Sequence, residues 1–150
     1  HCTTHYEENS LAGIVKDANI TNTWYDDEHT IIHSVLDGMM TWAIFEEGFQ
    51  DVFEMARSEE HGVYIITDIQ PTYVVARGNA FPYIKRFYTG YPPNLHKQVI
   101  VNVSMLERAV LSAFTRINPE IQNRPAYAES MDHALRVVAD MKRQQEKTAS

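Results

Sequence analysis

The chain has 150 residues, enough for one domain with a sizeable core. Hydrophobic residues make up 44% and charged residues 22%, an ordinary globular balance, and no apolar run reaches the ~18 residues that a membrane span needs. The net charge of −7 argues against nucleic acid as a partner, because phosphate binding needs a concentrated basic surface. The acidity is uneven: residues 1–60 carry 13 acids against 2 bases, and residues 61–150 carry 7 acids against 11 bases. Such asymmetry fits complementary faces that pair two copies, or, more simply, a solvated acidic helix. The single cysteine, Cys2, allows no internal disulfide and suits a reducing compartment. The first residues lack the basic-then-apolar pattern of a signal peptide, so a cytoplasmic location is expected.

Residues 1–21 are polar, with one faint apolar spacing at Leu11, Ile14, Val15 and Ala18, and read as a partly ordered arm. A short strand near Asn22–Tyr25 then meets an acidic turn, Asp26-Asp27-Glu28, and a longer strand from His29 to Leu36, which together signal a hairpin. From Thr41 the period changes. Trp42, Phe45, Phe49, Val52, Phe53 and Ala56 share a helical face, with Thr41 as N-cap. Gly48 costs that helix about 1 kcal/mol against alanine, so a neighbour is expected to pack closely there. "VYIITDI", residues 63–69, is a buried strand ending on Asp68 and a polar loop.

"NAFPYIKRFYTG" is a second helix, capped by Asn79, with Pro82 harmless in its first turn and Gly90 as its stop. Its core stripe is Phe81, Ile84, Phe87 and Tyr88, which leaves Tyr83, Tyr91, Pro92 and Pro93 near solvent. "KQVIVNVS" is the next strand. Ser104 and Glu107 form a capping box that opens a helix with the apolar face Leu106, Ala109, Val110, Ala113, Phe114 and Ile117. "PAYAE" is a short strand, and Ser130 caps a last helix to about Lys147, whose face is Met131, Ala134, Leu135, Val138 and Met141. Residues 22–147 are therefore one domain, with residues 148–150 as a frayed tail. A hairpin followed by alternating helices and strands implies a mostly parallel sheet of about five strands with four helices.

Three places in this α/β chain resemble the STAS (SpoIIAA-like) family. They are "GMMTWAIFEEGFQDVFEM" at the first helix, "VYIITDI" with Asp68 in the family's Asp position, and "VIVNVSMLERAVLSAF" with "RPAYAESMDHAL" in the closing half. The resemblance covers roughly residues 22–146 and implies a single-domain STAS fold and a non-enzymatic regulatory or protein-interaction module. Kinase-regulated members resemble "D-h-S-x-h-x-x-h-D-S-S-G", whereas this chain reads "DIQPTYVVARGNAFPY" and has no serine between Asp68 and Pro82. Thr72 is the one aliphatic hydroxyl there and so the phosphoacceptor candidate; the likeness is greater to the uncharacterised STAS-like branch. The resemblance also implies partner docking on the side of the second helix, where Arg77, Tyr83, Arg86 and Tyr91 are the candidate contacts. Tyrosine and arginine are common interface anchors.

No nucleophile elbow, phosphate loop or dinucleotide fingerprint occurs, so no catalytic residue and no cofactor are assigned. Asp68 and Asn79 read as rim and loop residues. His29 and His33, placed on one strand, would lie ~13 Å apart, too far to share a zinc. His1, Cys2 and His5 cluster in the arm without marking a metal site. Two functions follow: a protein partner or self-association through the rim, or a small-molecule or lipid pocket at the strand C-terminal rim, where open α/β sheets place ligands.

Overall fold

All seven residues of the strand Val63–Ile69 are buried, as expected of a central strand covered on both faces. The computed structural model describes residues 19–74, 77–121 and 124–149. Its elements are β1 (Asn19–Trp24), β2 (Ile31–Asp37), α1 (Trp42–Arg57), β3 (Val63–Ile69), α2 (Phe81–Thr89), β4 (Leu95–Val101), α3 (Met105–Ile117), β5 (Ala126–Ala128) and α4 (Met131–Ala149). The five strands lie in the order β1-β2-β3-β4-β5, with β1 antiparallel to β2 and the other pairs parallel.

That order fixes where the helices go. The parallel strands advance across the sheet in one direction, and right-handed crossovers then put α1, α2 and α3 on the same face. The helix after β5 is free to cross to the other. On the first face Ile32, Ile65 and Leu95 pack with Phe49, Val52, Phe53, Ala56 and Phe87. On the second, Tyr64, Ile66, Val99 and Val101 pack with Ala134 and Val138 of α4.

The local signals act as the sequence suggests. Thr41 accepts the Ile44 N–H at 3.2 Å, opening α1. Ser104 accepts the Glu107 N–H at 3.1 Å while Glu107 accepts the Ser104 N–H at 3.2 Å, completing the box that opens α3. Gly48 is tight because β1 crosses it: a Cβ there would lie 2.6 Å from Ile20 Cδ1, and its carbonyl accepts from the Asn22 amide at 2.9 Å.

Four expectations need correction. β1 begins at Asn19, so residues 19–21 belong to the sheet and not to the arm, the rest of which lies outside the described residues with His1, Cys2 and His5. α4 continues through Ala149, beyond Lys147. His29 is not on β2. It sits in the turn with φ +59, where the Asp26 carboxylate accepts the N–H groups of Thr30 and Ile31 and closes the loop. Pro92 and Tyr91 are not solvent-facing. Pro92 is fully buried, and the Tyr91 ring packs against the core edge-on to Phe53 and Phe87.

The third helix departs most from its pattern. Of its apolar stripe only Phe114 is buried, while Leu106 and Ile117 are 70% and 67% exposed. Phe114 rests on rings of α2: it meets Phe81 edge-on at 5.4 Å and Tyr88 in a stack at 6.1 Å. Propped on aromatic side chains, α3 stands off the sheet at its N-terminal end and leaves a gap beneath.

Candidate functional site

The gap under α3 is a pocket of about 300 Å³. Its floor is the sheet, with Leu36, Thr67, Gln98 and Ile100. Its walls are Trp42, Phe45 and Phe49 of α1 with Ile84, Phe87 and Tyr88 of α2, and Leu106, Val110 and Leu111 of α3 form its roof. Thr67 and Gln98 are buried polar groups on adjacent strands, and they satisfy each other: Thr67 Oγ1 donates to Gln98 Oε1 at 2.7 Å. At the rim stand Tyr73, Gly78 and Glu107. Burial pushes the Tyr73 phenol far above its ordinary range, and the Glu107 carboxylate, which accepts its hydrogen bond, pushes it further.

The rim is well ordered chemically. The loop after β3 pairs with the tail of β2, Met40 N–H donating to Val74 O at 3.0 Å and Val74 N–H to Gly38 O at 2.9 Å. Trp42 Nε1 donates to the Arg77 carbonyl at 2.8 Å, fixing the loop where Gly78 turns with φ +101. Met39, Val74, Phe81, Met105 and Leu106, all in segments that follow the C-terminal ends of parallel strands, are exposed apolar side chains on this rim.

The residues singled out in the sequence are not one constellation. Asp68 is buried on β3 and faces the other side of the sheet from the pocket, where its carboxylate pairs with His33 Nε2 at 2.9 Å. Its partner is thus a neighbouring strand, not the loop it precedes. Asn79 Oδ1 accepts the Phe81 N–H at 3.1 Å, capping α2 from one residue before the Ala80 cap position. Thr72 is exposed, and its hydroxyl donates to the Asp37 carboxylate. Of the proposed contact residues, Arg77 is exposed. Tyr83 stacks on Trp42 at 4.8 Å, Arg86 lies 4.5 Å over the Tyr83 ring, and Arg86 reaches Glu46 at 2.5 Å, so this pair joins α1 to α2. Tyr91 donates its hydroxyl to the His96 carbonyl at 2.5 Å and is a structural residue of the core edge.

Other titratable clusters lie elsewhere. Glu59 bridges His29 at 2.9 Å and His61 at 3.2 Å. Hydrogen bonding from His29 chiefly holds its carboxyl below the ordinary value. Among the described residues no group of three His, Cys, Asp or Glu side chains could hold a metal ion, and no helix is long and apolar enough to cross a membrane. His29 and His33, which the sequence presents as a pair, engage different carboxylates.

The sequence points to a pocket at the strand C-terminal rim but not to its roof, because the α3 stripe reads as core. One signal was available: Thr67 and Gln98 are polar residues on the buried central strands that face the same side and need each other. Comparison of the chain with protein-family models, curated proteins and solved structures gave no match.

Proposed function

We propose that the chain is a non-enzymatic STAS-like module that takes up a small, mainly apolar molecule in the pocket between α3 and the sheet. The observation that carries this reading is the pocket itself. It is about 300 Å³, at the lower end of the range of known ligand sites, and it combines apolar and aromatic walls with a few convergent polar groups. Its position supports the same reading, since open α/β sheets bind ligands beyond the carboxyl ends of their strands. The order of elements and the strand order support the STAS-like assignment. The lone cysteine supports a cytoplasmic location.

A second reading has one observation in its favour. The exposed Met39, Val74, Phe81, Met105 and Leu106 would suit a protein partner or a second copy docking on the rim. Arg77 would take part, whereas Tyr83 and Arg86 are engaged between helices and Tyr91 in the core. Light scattering across a concentration series tests self-association.

The pocket reading is tested with the neutral dye prodan. The native chain should bind it saturably at one site, and Val110→Trp, which fills the pocket from the roof, should abolish binding while circular dichroism stays native. Unchanged dye binding in a folded Val110→Trp variant overturns the reading.

A further inference from the structure

The pocket's polar groups specify more than that an apolar molecule binds, and the following rests on the reading above. Among its lining residues the only carboxylate is Glu107, and no lysine, arginine or histidine contributes. Of the two arginines in neighbouring segments, Arg108 sits 4.1 Å over the Tyr127 ring, and Arg77 is exposed on the rim loop and does not line the pocket.

Helix N-termini are the other usual source of positive potential for an anion. Three of them converge here, because α1, α2 and α3 lie on the pocket's face of the sheet and each starts at the C-terminal end of a parallel strand. Each has one of its free N–H groups taken by its own chain. Thr41 accepts the Ile44 N–H, Asn79 accepts the Phe81 N–H, and Ser104 accepts the Glu107 N–H. At α3 the anion position is filled outright: the Glu107 carboxylate accepts both the N–H and the hydroxyl of Ser104 and compensates the helix end.

An anionic guest would therefore bury its charge beside a carboxylate with no cation to meet it, which is costly in a low-dielectric site. A hydroxyl, amide or ammonium group meets the opposite situation. Glu107 is an acceptor at the rim, and the Gln98 carbonyl oxygen, shared with Thr67, is an acceptor on the floor. The aromatic lining at Trp42, Phe45 and Tyr73 is also more compatible with a cation than with an anion. We propose that the pocket selects by charge: its occupant is an apolar molecule with an uncharged or cationic polar head, and carboxylates and phosphate esters are excluded.

The chain has two tryptophans, and Trp24 stacks on His29 away from the pocket, so Trp24→Phe leaves Trp42 as a reporter on the wall. In that variant, decan-1-ol, decylamine and decanoate are titrated below their aggregation limits while Trp42 emission is followed. The alcohol and the amine should reach half-saturation at a concentration at least about tenfold below that of decanoate, the size of a partly screened charge contact. Glu107→Gln keeps the capping box, which glutamine also forms, and removes the charge, its amide N–H2 donating to the Tyr73 hydroxyl in place of accepting from it. It should weaken the amine, strengthen decanoate and bring the two within about threefold of each other.

Decanoate binding as tightly as the alcohol, or a preference unchanged in Glu107→Gln, overturns the charge selection and leaves the pocket standing. Silence from all three probes in a natively folded Trp24→Phe variant overturns the pocket reading and this inference together.

Discussion

Helices α3 and α4 carry comparable apolar stripes, and each follows a parallel strand, yet they meet the sheet in different ways. α4 lies flat on it. Its contacts at Ala134 and Val138 are small enough for close approach, and both are at most 1% exposed. α3 is held up by Phe114, which rests on Phe81 and Tyr88 of α2, and its N-terminal half overhangs empty volume. The difference teaches that an amphipathic stripe specifies an apolar neighbour but not which one. For α4 the neighbour is the sheet; for half of α3 it is a space that a guest can fill.

Phe114→Ala should break this contrast most strongly. It removes the prop, and a buried phenylalanine lost to alanine costs about 3–5 kcal/mol, read by urea unfolding. If the loss is under about 1 kcal/mol, α3 is not held by that contact. Enlarging the contact of α4 comes next. Ala134→Leu should cost about 1–3 kcal/mol by overpacking, whereas Val110→Leu on α3, facing the pocket, should stay within about 1 kcal/mol of the native chain. Equal losses in the two would show α3 to be as closely packed as α4.

The Asp68–His33 pair on the α4 face gives a third test. Asp68→Asn weakens the bond to His33 and should cost about 1–2 kcal/mol without changing the pocket's uptake of prodan. Loss of dye binding in that variant would tie the two faces together.

The β1–β2 turn belongs to neither helix and serves as a control. Burial pushes the Asp26 carboxyl up, but the hydrogen bonds from Thr30 and Ile31, with the Lys142 ammonium, outweigh it and hold it below 3.8. The folded value is the lower one, so Asp26 contributes stability above the unfolded value and loses it as pH falls through the folded value. Asp26→Asn should make the native chain's unfolding midpoint less sensitive to pH below 3.8, equally in the α3 and α4 variants. The smallest effect on stability is expected for Leu106→Ala, within about 0.5 kcal/mol, although this change should weaken uptake of decan-1-ol.

Much of the architecture was legible in residues with a local cause. Thr41, Ser104 and Glu107 cap because their side chains reach N–H groups two or three positions away. The strand Val63–Ile69 is uniformly buried, with an apolar run Val63–Ile66, because both its faces are covered. Gly48 announced a close neighbour, though not that the neighbour would be Ile20. Readings failed where a distant contact decided the outcome. "YPP" looks like an exposed loop, but Tyr91 finds the His96 carbonyl and two phenylalanine rings. His29 looked like strand, but the Asp26 carboxylate turns the chain before it can pair. Asp68 and Thr67 are adjacent in sequence and lie on opposite faces, so a loop-centred reading pointed at the carboxylate and passed over the residue that faces the pocket.

The overhang of α3 also separates two demands that usually compete. Leu106 and Val110 shape the space under the helix without joining its buried contacts, which fall to Phe114 and to Leu111 against the Leu36–Ile100 cluster. Mutations accumulating at those two positions can alter the size and chemistry of the guest while the scaffold persists. Divergence among descendants of this chain should concentrate on the underside of a single helix, with the propping rings kept.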